Sequence, residues 1–133
     1  MNAAERYARH AVYNRSGGVC EVMVPGRCLY RATNYQHRKN RSQCAKDELW
    51  IAENGLHVCG SGTTGCHGWI HQFPRRSYEL GWSVRHAHDP RRIPVFYRGY
   101  AAPQILESDG TFRDATVDEL FELHAIGMAG WWS

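Results

Sequence analysis

Between Asn54 and His71 the sequence NGLHVCGSGTTGCHGWIH places an asparagine, two cysteines and two closely spaced histidines in one short stretch. Cys59 and Cys66 bracket a Gly/Ser/Thr loop with little side-chain volume, so the backbone can fold back and aim both sulfurs at one ion. His67 and His71 stand four residues apart, and on a helix that spacing projects both imidazoles from the same face, as in helical metal-binding pairs. One stretch thus offers two metal sites, one of thiolates and one of imidazoles.

The thiolate site needs two more ligands, and Cys20 and Cys28 supply them. The segment CEVMVPGRC reads as strand, Pro25-Gly26 turn and return, which brings the two sulfurs together across a hairpin. With Cys59 and Cys66 they make a closed tetrahedral site of four thiolates, the donor set of a structural zinc; unrelated core cysteines are the competing reading. The N-terminus MNAAERYARH lacks the apolar core of a signal peptide and no apolar run reaches membrane-spanning length, so a cytosolic chain with no membrane partner is expected. A reducing compartment keeps thiols free for metal, which favours ligation over disulfides and leaves Cys44 in a polar loop.

In LYRATNYQHRKNRSQ, Leu29 to Tyr35 reads as a strand with His37 at its end, followed by Arg38, Lys39 and Arg41. Neighbouring cations disfavour imidazolium and keep the ring in the neutral form that accepts a proton from water. A surface histidine in a basic loop fits these residues equally well. Asn54-Gly55 is a turn signal, and a bare turn residue is the commoner role for such an asparagine. Leu56, His57 and Val58 continue as a short strand, with His57 facing away from its neighbours.

These groups must be positioned by the rest of a chain of 133 residues, 43% apolar and 22% charged, which suffices for one core and one domain. Ala4, Tyr7, Ala8, Ala11 and Val12 share one face of an expected helix from Ala3 to Tyr13, capped by Asn2 and ending near Asn14, whose role is to cover the metal-stapled core; Arg6 or Arg9 touching DNA is a secondary possibility. Asp47 to Glu53 is a helical turn or irregular linker anchored by Trp50 and Ile51. The helix bearing His67 and His71 stops before Pro74, and SYELGWSVR and IPVFYRGY read as strand or loop. His86 and His88 are loop residues. Ile105 to Phe112 reads as a hairpin about Asp109-Gly110, and Thr116 caps a final helix VDELFELHAI with an apolar stripe of Val117, Leu120, Phe121 and Leu123 or His124. Trp131 and Trp132 could dock on the body or on a partner. The net charge of +3 is too small to argue for nucleic acid by itself, although the clustered arginines leave a basic face suited to phosphate. The GSGTTG loop lacks the lysine of a P-loop.

Taken together, His37, Asn54 and His67 set within cysteines 20, 28, 59 and 66 resemble the HNH endonucleases, particularly the small zinc-stabilised ones encoded by bacteriophages. The resemblance runs from about residue 16 to 94, and the order of CEV, RC, QHRKNRS, NG and CGSGTTGCHGWIH is its most specific part. It implies an α+β fold with a ββα-metal core, a four-cysteine zinc site, an N-terminal helix and, over residues 95–133, a C-terminal extension of strands or hairpin plus helix.

The resemblance further implies a divalent-metal-dependent DNA endonuclease, in the host cytoplasm if phage-encoded. His37 would be the general base, Asn54 would brace the loop that orients it, and His67 would ligate the catalytic ion (Mg2+, Mn2+, Ni2+ or Zn2+). The i, i+4 spacing adds His71 as a ligand. Arg38, Lys39, Arg41, Arg75 and Arg76 would contact DNA phosphates. The residue before the base is usually an aspartate or histidine that also binds the ion; here it is Gln36, a neutral and weaker ligand. Cys44 stands where related sequences often place glycine. The alternative expectation is therefore a catalytically weak or silent zinc-binding DNA module, or a partner of phage packaging proteins.

Overall fold

The computed structural model describes residues 1–99 and 102–125, with the His124 side chain excepted. Trp131 and Trp132 lie outside the described residues.

Helix α1 (Ala3–Ser16) starts where Asn2 accepts the Glu5 N–H at 2.8 Å and ends where Gly17 takes a left-handed conformation and returns its N–H to the Tyr13 carbonyl. It runs past the expected stop near Asn14. Ala8, Ala11 and Val12 are buried as the helical pattern requires, but Tyr7 is exposed and its hydroxyl reaches the Ser108 carbonyl at 2.7 Å.

The segment carrying Cys20 and Cys28 is not a hairpin of strands. Residues 20–30 form bends and one turn over Pro25 to Arg27, flanked by a single bridge between Val19 and Arg31. Strand β1 (Asn34–His37) pairs antiparallel with β2 (Gly55–Val58), with Gln36 opposite Leu56 and His37 opposite Gly55. The expected strand from Leu29 thus forms only from Asn34. A 3-10 turn, Ala52–Asn54, leads into β2.

After β2 the loop folds back into helix α2 (Gly65–Gln72). Pro74 does end it, but also begins α3 (Pro74–Glu79), sitting in the first turn where its missing N–H has no helical acceptor to serve. The strand or loop expected over SYELGWSVR is therefore helical in its first part. Strands β3 (Gln104–Leu106) and β4 (Phe112–Asp114) form the expected hairpin. Helix α4 (Val117–Ala125) opens with a capping box: Thr116 Oγ accepts the Glu119 N–H, and the Glu119 carboxylate accepts the Thr116 N–H. Of its expected apolar stripe only Leu123 is fully buried; Val117 and Phe121 are exposed.

One core cluster joins Cys20, Cys59 and Cys66 to Val22, Leu56, Ile70, Trp82, Val95, Tyr97 and Leu106, so residues on both sides of position 94 pack together. Beneath it lies a buried polar knot. Arg15 grips the Glu21 carboxylate with two bonds of 2.6 and 3.0 Å and caps the Gly55 carbonyl at 2.6 Å. Glu21 also accepts the Tyr97 hydroxyl at 2.7 Å and the His57 N–H at 2.8 Å, so every oxygen of this buried carboxylate is satisfied. The knot ties α1 and the Cys20 loop to β2.

Candidate metal centre and active site

The sulfurs of Cys20, Cys28, Cys59 and Cys66 all lie within 4.8 Å of one another, and all but Cys28 are buried. A tetrahedron with Zn–S bonds of about 2.3 Å has sulfur–sulfur edges of about 3.8 Å, and Cys59 and Cys28 stand 3.9 Å apart. Each sulfur accepts at least one backbone N–H. Val24 donates to Cys66 at 3.3 Å, Leu29 and Cys66 to Cys59 at 3.2 Å, Tyr30 to Cys28 at 3.3 Å, and Cys59 to Cys20 at 3.4 Å. Donors converging on sulfur favour the thiolate, the form that binds metal. The Cys20 pKa is pulled down to about 5, most of all by the hydrogen bond from Cys66, with the N–H groups of Met23, Val22 and Cys59 adding to it against burial. That shared proton, then burial, pushes Cys66 up. The donor set fits a soft-ligand metal ion.

The backbone bends to make this cage. Met23 at φ 57° and Tyr30 at φ 73° hold left-handed conformations on side-chain-bearing residues, at a cost of about 1–3 kcal/mol each. Gly60, at φ 87°, turns the chain so tightly that any β-carbon would collide with the Thr64 carbonyl. The Cys59 sulfur takes the N–H of Cys66 in the first turn of α2, a position where a helix favours negative charge. The cage therefore also sets where α2 begins.

Placed this way, α2 carries His67 and His71 with ring centroids 4.7 Å apart. His67 Nδ1 is buried without a hydrogen-bond partner, and burial, then the neighbouring His71, lowers its pKa, which keeps it a neutral nitrogen donor. His71 is exposed and shares with Gln36 a pocket of about 220 Å³ between the ribbon and α2. His71 and Gln36 offer that pocket one imidazole and one amide carbonyl, His67 stands beside His71 on the helix, and Arg38 but no carboxylate is in the lining.

His37 points elsewhere. Successive residues of a strand face opposite sides, and the His37 ring packs edge-on against Trp50 at 4.7 Å and Tyr35 at 5.2 Å, away from the Gln36 pocket. Burial, followed by the charges of Arg41 and Arg9, holds its pKa below the usual imidazole value. The neutral ring expected from the basic neighbours is thus due first to burial.

Asn54 is no bare turn residue. It is fully buried, its side chain accepts the Lys39 N–H at 2.8 Å and donates to the Lys39 carbonyl at 3.3 Å, and its own carbonyl accepts the Arg38 N–H at 2.8 Å. These bonds fasten the two residues after His37 to the start of β2. Cys44 lies against the same turn, donating to the Lys39 carbonyl at 3.2 Å.

No family model matches the chain, and neither does a curated protein or a solved structure.

Two of the five expected phosphate contacts are corrected. Arg38 is 2% exposed and spends its guanidinium on the carbonyls of Gly81 (2.8 Å), Glu53 (2.7 Å), Pro90 (3.1 Å), Ile93 (2.6 Å) and Pro94 (3.5 Å). Burial pulls its pKa down to about 9, still high enough to keep it charged at neutral pH. Lys39 is buried too, paired with both Glu48 oxygens at 2.9 and 3.0 Å and with the His88 carbonyl. Neither lies free at the surface, although Arg38 lines the floor of the Gln36 pocket. Arg41, Arg75 and Arg76 are exposed; the last two pair loosely with Glu79 along α3. Trp50 and Arg9 entered the sequence reading as a core anchor and a helix-surface residue, yet both stand beside His37, with the Arg9 guanidinium over the Tyr35 and Trp50 rings.

Proposed function

We propose that the chain is a zinc-stabilised DNA endonuclease of the HNH type, hydrolysing phosphodiester bonds with His37 as general base and a divalent ion at Gln36, His67 and His71. The observation that carries this reading is the juxtaposition at the ribbon's end: Asn54 locks the turn directly after His37, while His71 of α2, with His67 beside it, shares a pocket with Gln36 on the other side of the same strand. In-line displacement sets the attacking and leaving oxygens on opposite sides of phosphorus. A base and a ligand on opposite faces of consecutive strand positions therefore suit a phosphodiester laid across the strand end. The neutral His37 ring takes the proton of the attacking water, and Asn54 holds the backbone that aims it. Lewis-acid stabilisation of charge on the phosphoryl and departing 3′ oxygens is the chemistry such an ion supplies. The four thiolates hold zinc that does no chemistry.

A second reading, a zinc-stabilised DNA-binding module without cleavage, draws on one observation. The Gln36 amide donates to the His37 carbonyl at 3.2 Å and offers only a neutral oxygen, where no carboxylate completes the site. Supercoiled plasmid incubated with magnesium, manganese, nickel or no ion separates the readings. Ion-dependent nicking that disappears in His37→Ala supports the enzyme. Plasmid bound but uncut by the wild type, yet cut by Gln36→Asp, supports the silent module. Failure of both proteins to cut under every ion rejects the nuclease reading.

A further inference from the structure

On the face of the ribbon away from α2, Trp50 carries two cations. The Arg9 guanidinium lies 5.0 Å from the Trp50 ring centroid and 5.2 Å from that of Tyr35, and the Arg41 guanidinium lies 5.6 Å from Trp50. Among the described residues Arg41 makes no ion pair or hydrogen bond, so its N–H edge is unused while the ring holds it in place. Arg9 bonds Glu5 at 3.0 Å and the Tyr13 hydroxyl at 3.2 Å, which fixes its direction and leaves further donors. Beside Trp50 opens a groove of about 570 Å³, lined among others by Glu5, Arg41, Cys44, Lys46 and Asp47. Asp47 is engaged by Arg91 at 3.0 Å and Glu5 by Arg9 at 3.0 Å, which leaves Arg41 and Lys46 as the lining charges without an ion pair among the described residues. The His37 ring lies 4.7 Å from Trp50 on this same side.

A guanidinium stacked on an aromatic ring keeps its planar donor fork outward and loses little freedom when it grips an anion. Two such forks beside one histidine match successive phosphates of a nucleic-acid strand. We propose that Arg9 and Arg41, seated on Trp50, form a clamp for the DNA backbone on the His37 side of the ribbon, which makes α1 part of the substrate-binding surface. This rests on the reading of His37 as the residue that faces DNA, and it is tested by binding, which does not require cleavage.

The experiment is fluorescence anisotropy of a labelled phosphorothioate duplex titrated with the wild type, Arg9→Gln, Arg41→Gln, Arg9→Lys and Glu5→Gln over a series of salt concentrations, without a catalytic ion. Each glutamine variant of the arginines should weaken binding about tenfold at 0.1 M salt and lower the slope of log affinity against log salt by about 1. Arg9→Lys should keep the wild-type slope, since the charge remains. Glu5→Gln should tighten binding, because it removes a carboxylate that competes with the phosphate. Binding by the wild type without plasmid cleavage leaves the clamp standing and removes only the nuclease reading. Wild-type affinity and slope in folded Arg9→Gln and Arg41→Gln overturn the clamp. Should Arg9→Gln fail to fold, Glu5→Gln and Arg41→Gln decide: unchanged binding in both overturns it as well.

Discussion

Two regions that meet at α2 are opposite in construction: the four-cysteine cage, and the pocket that His71 shares with Gln36. In the thiolate cage all four donors are charged or chargeable, three are buried, and every sulfur is met by a backbone N–H. At the ribbon, Gln36 and the exposed His71 line an open pocket together with Arg38 and with no carboxylate. A closed shell with no open position leaves a metal nothing to react with, and an incomplete one leaves room for water and substrate. The cysteines enclose a metal-sized space while the pocket is open, and the short helix α2 is where the two meet, since Cys66 in its first turn belongs to the cage and His71 in its second lines the pocket.

The largest effect that could break this contrast is removal of the cage metal. Structural zinc contributes about 10–16 kcal/mol of folding free energy in small domains, more than or equal to the total stability of most, about 5–15 kcal/mol. A strong chelator, or Cys59→Ser, should therefore abolish the cooperative melting transition seen by circular dichroism. His71→Ala, at an exposed position, should shift stability by no more than about 0.5 kcal/mol. A chelated protein that melts like the untreated one would show that the cage is not a folding element.

An intermediate effect is expected at Asn54. Replacement by alanine strands the buried Lys39 N–H, at about 1–3 kcal/mol, and leaves the Lys39 carbonyl with the Cys44 thiol alone. Denaturant midpoints should fall accordingly while zinc content stays at one ion per chain, because the damage is at the ribbon end and not in the cage. Loss of zinc along with stability would show that the two regions are one unit.

The smallest expected effect concerns protons. Burial, then Arg85 and Lys39, lowers the pKa of His88, whose carbonyl braces Lys39 under the His37 turn. The unfolded chain then takes up a proton near pH 6.5 that the folded chain refuses until lower pH. This group's contribution is thus fully present above about pH 6.5 and is lost as pH falls through its folded value. His88→Asn should flatten the acid side of a stability-against-pH curve and leave its neutral side nearly unchanged; parallel curves would remove His88 from the account.

What the sequence made legible follows from how local the signals were. The two cysteine pairs, the two histidines that stand side by side on α2 and the Asn54-Gly55 turn before β2 were legible because each is a pattern of residues close together in the chain; joining the two pairs into one cage took the donor chemistry of four thiols. The run RKNRS misled because its charge reads as surface, whereas four of the five carbonyls that accept from Arg38 are more than forty residues away and carry no side-chain signature. Pro74 was read as a stop and is also a start. The loop from Cys20 to Cys28 lacks strands because N–H groups that would have joined a ladder turn toward sulfur instead.

The caging of Arg38 also has a meaning in time. The residue beside His37 is seated by carbonyls at positions 81, 90, 93 and 94, and a guanidinium cannot enter the interior before those acceptors exist. At synthesis rates of roughly 5–20 residues per second, the emerging chain carries its histidine for several seconds before the surroundings that aim it have been made. A chain that stops short of position 81 leaves the strand end after His37 without most of the carbonyls that seat Arg38.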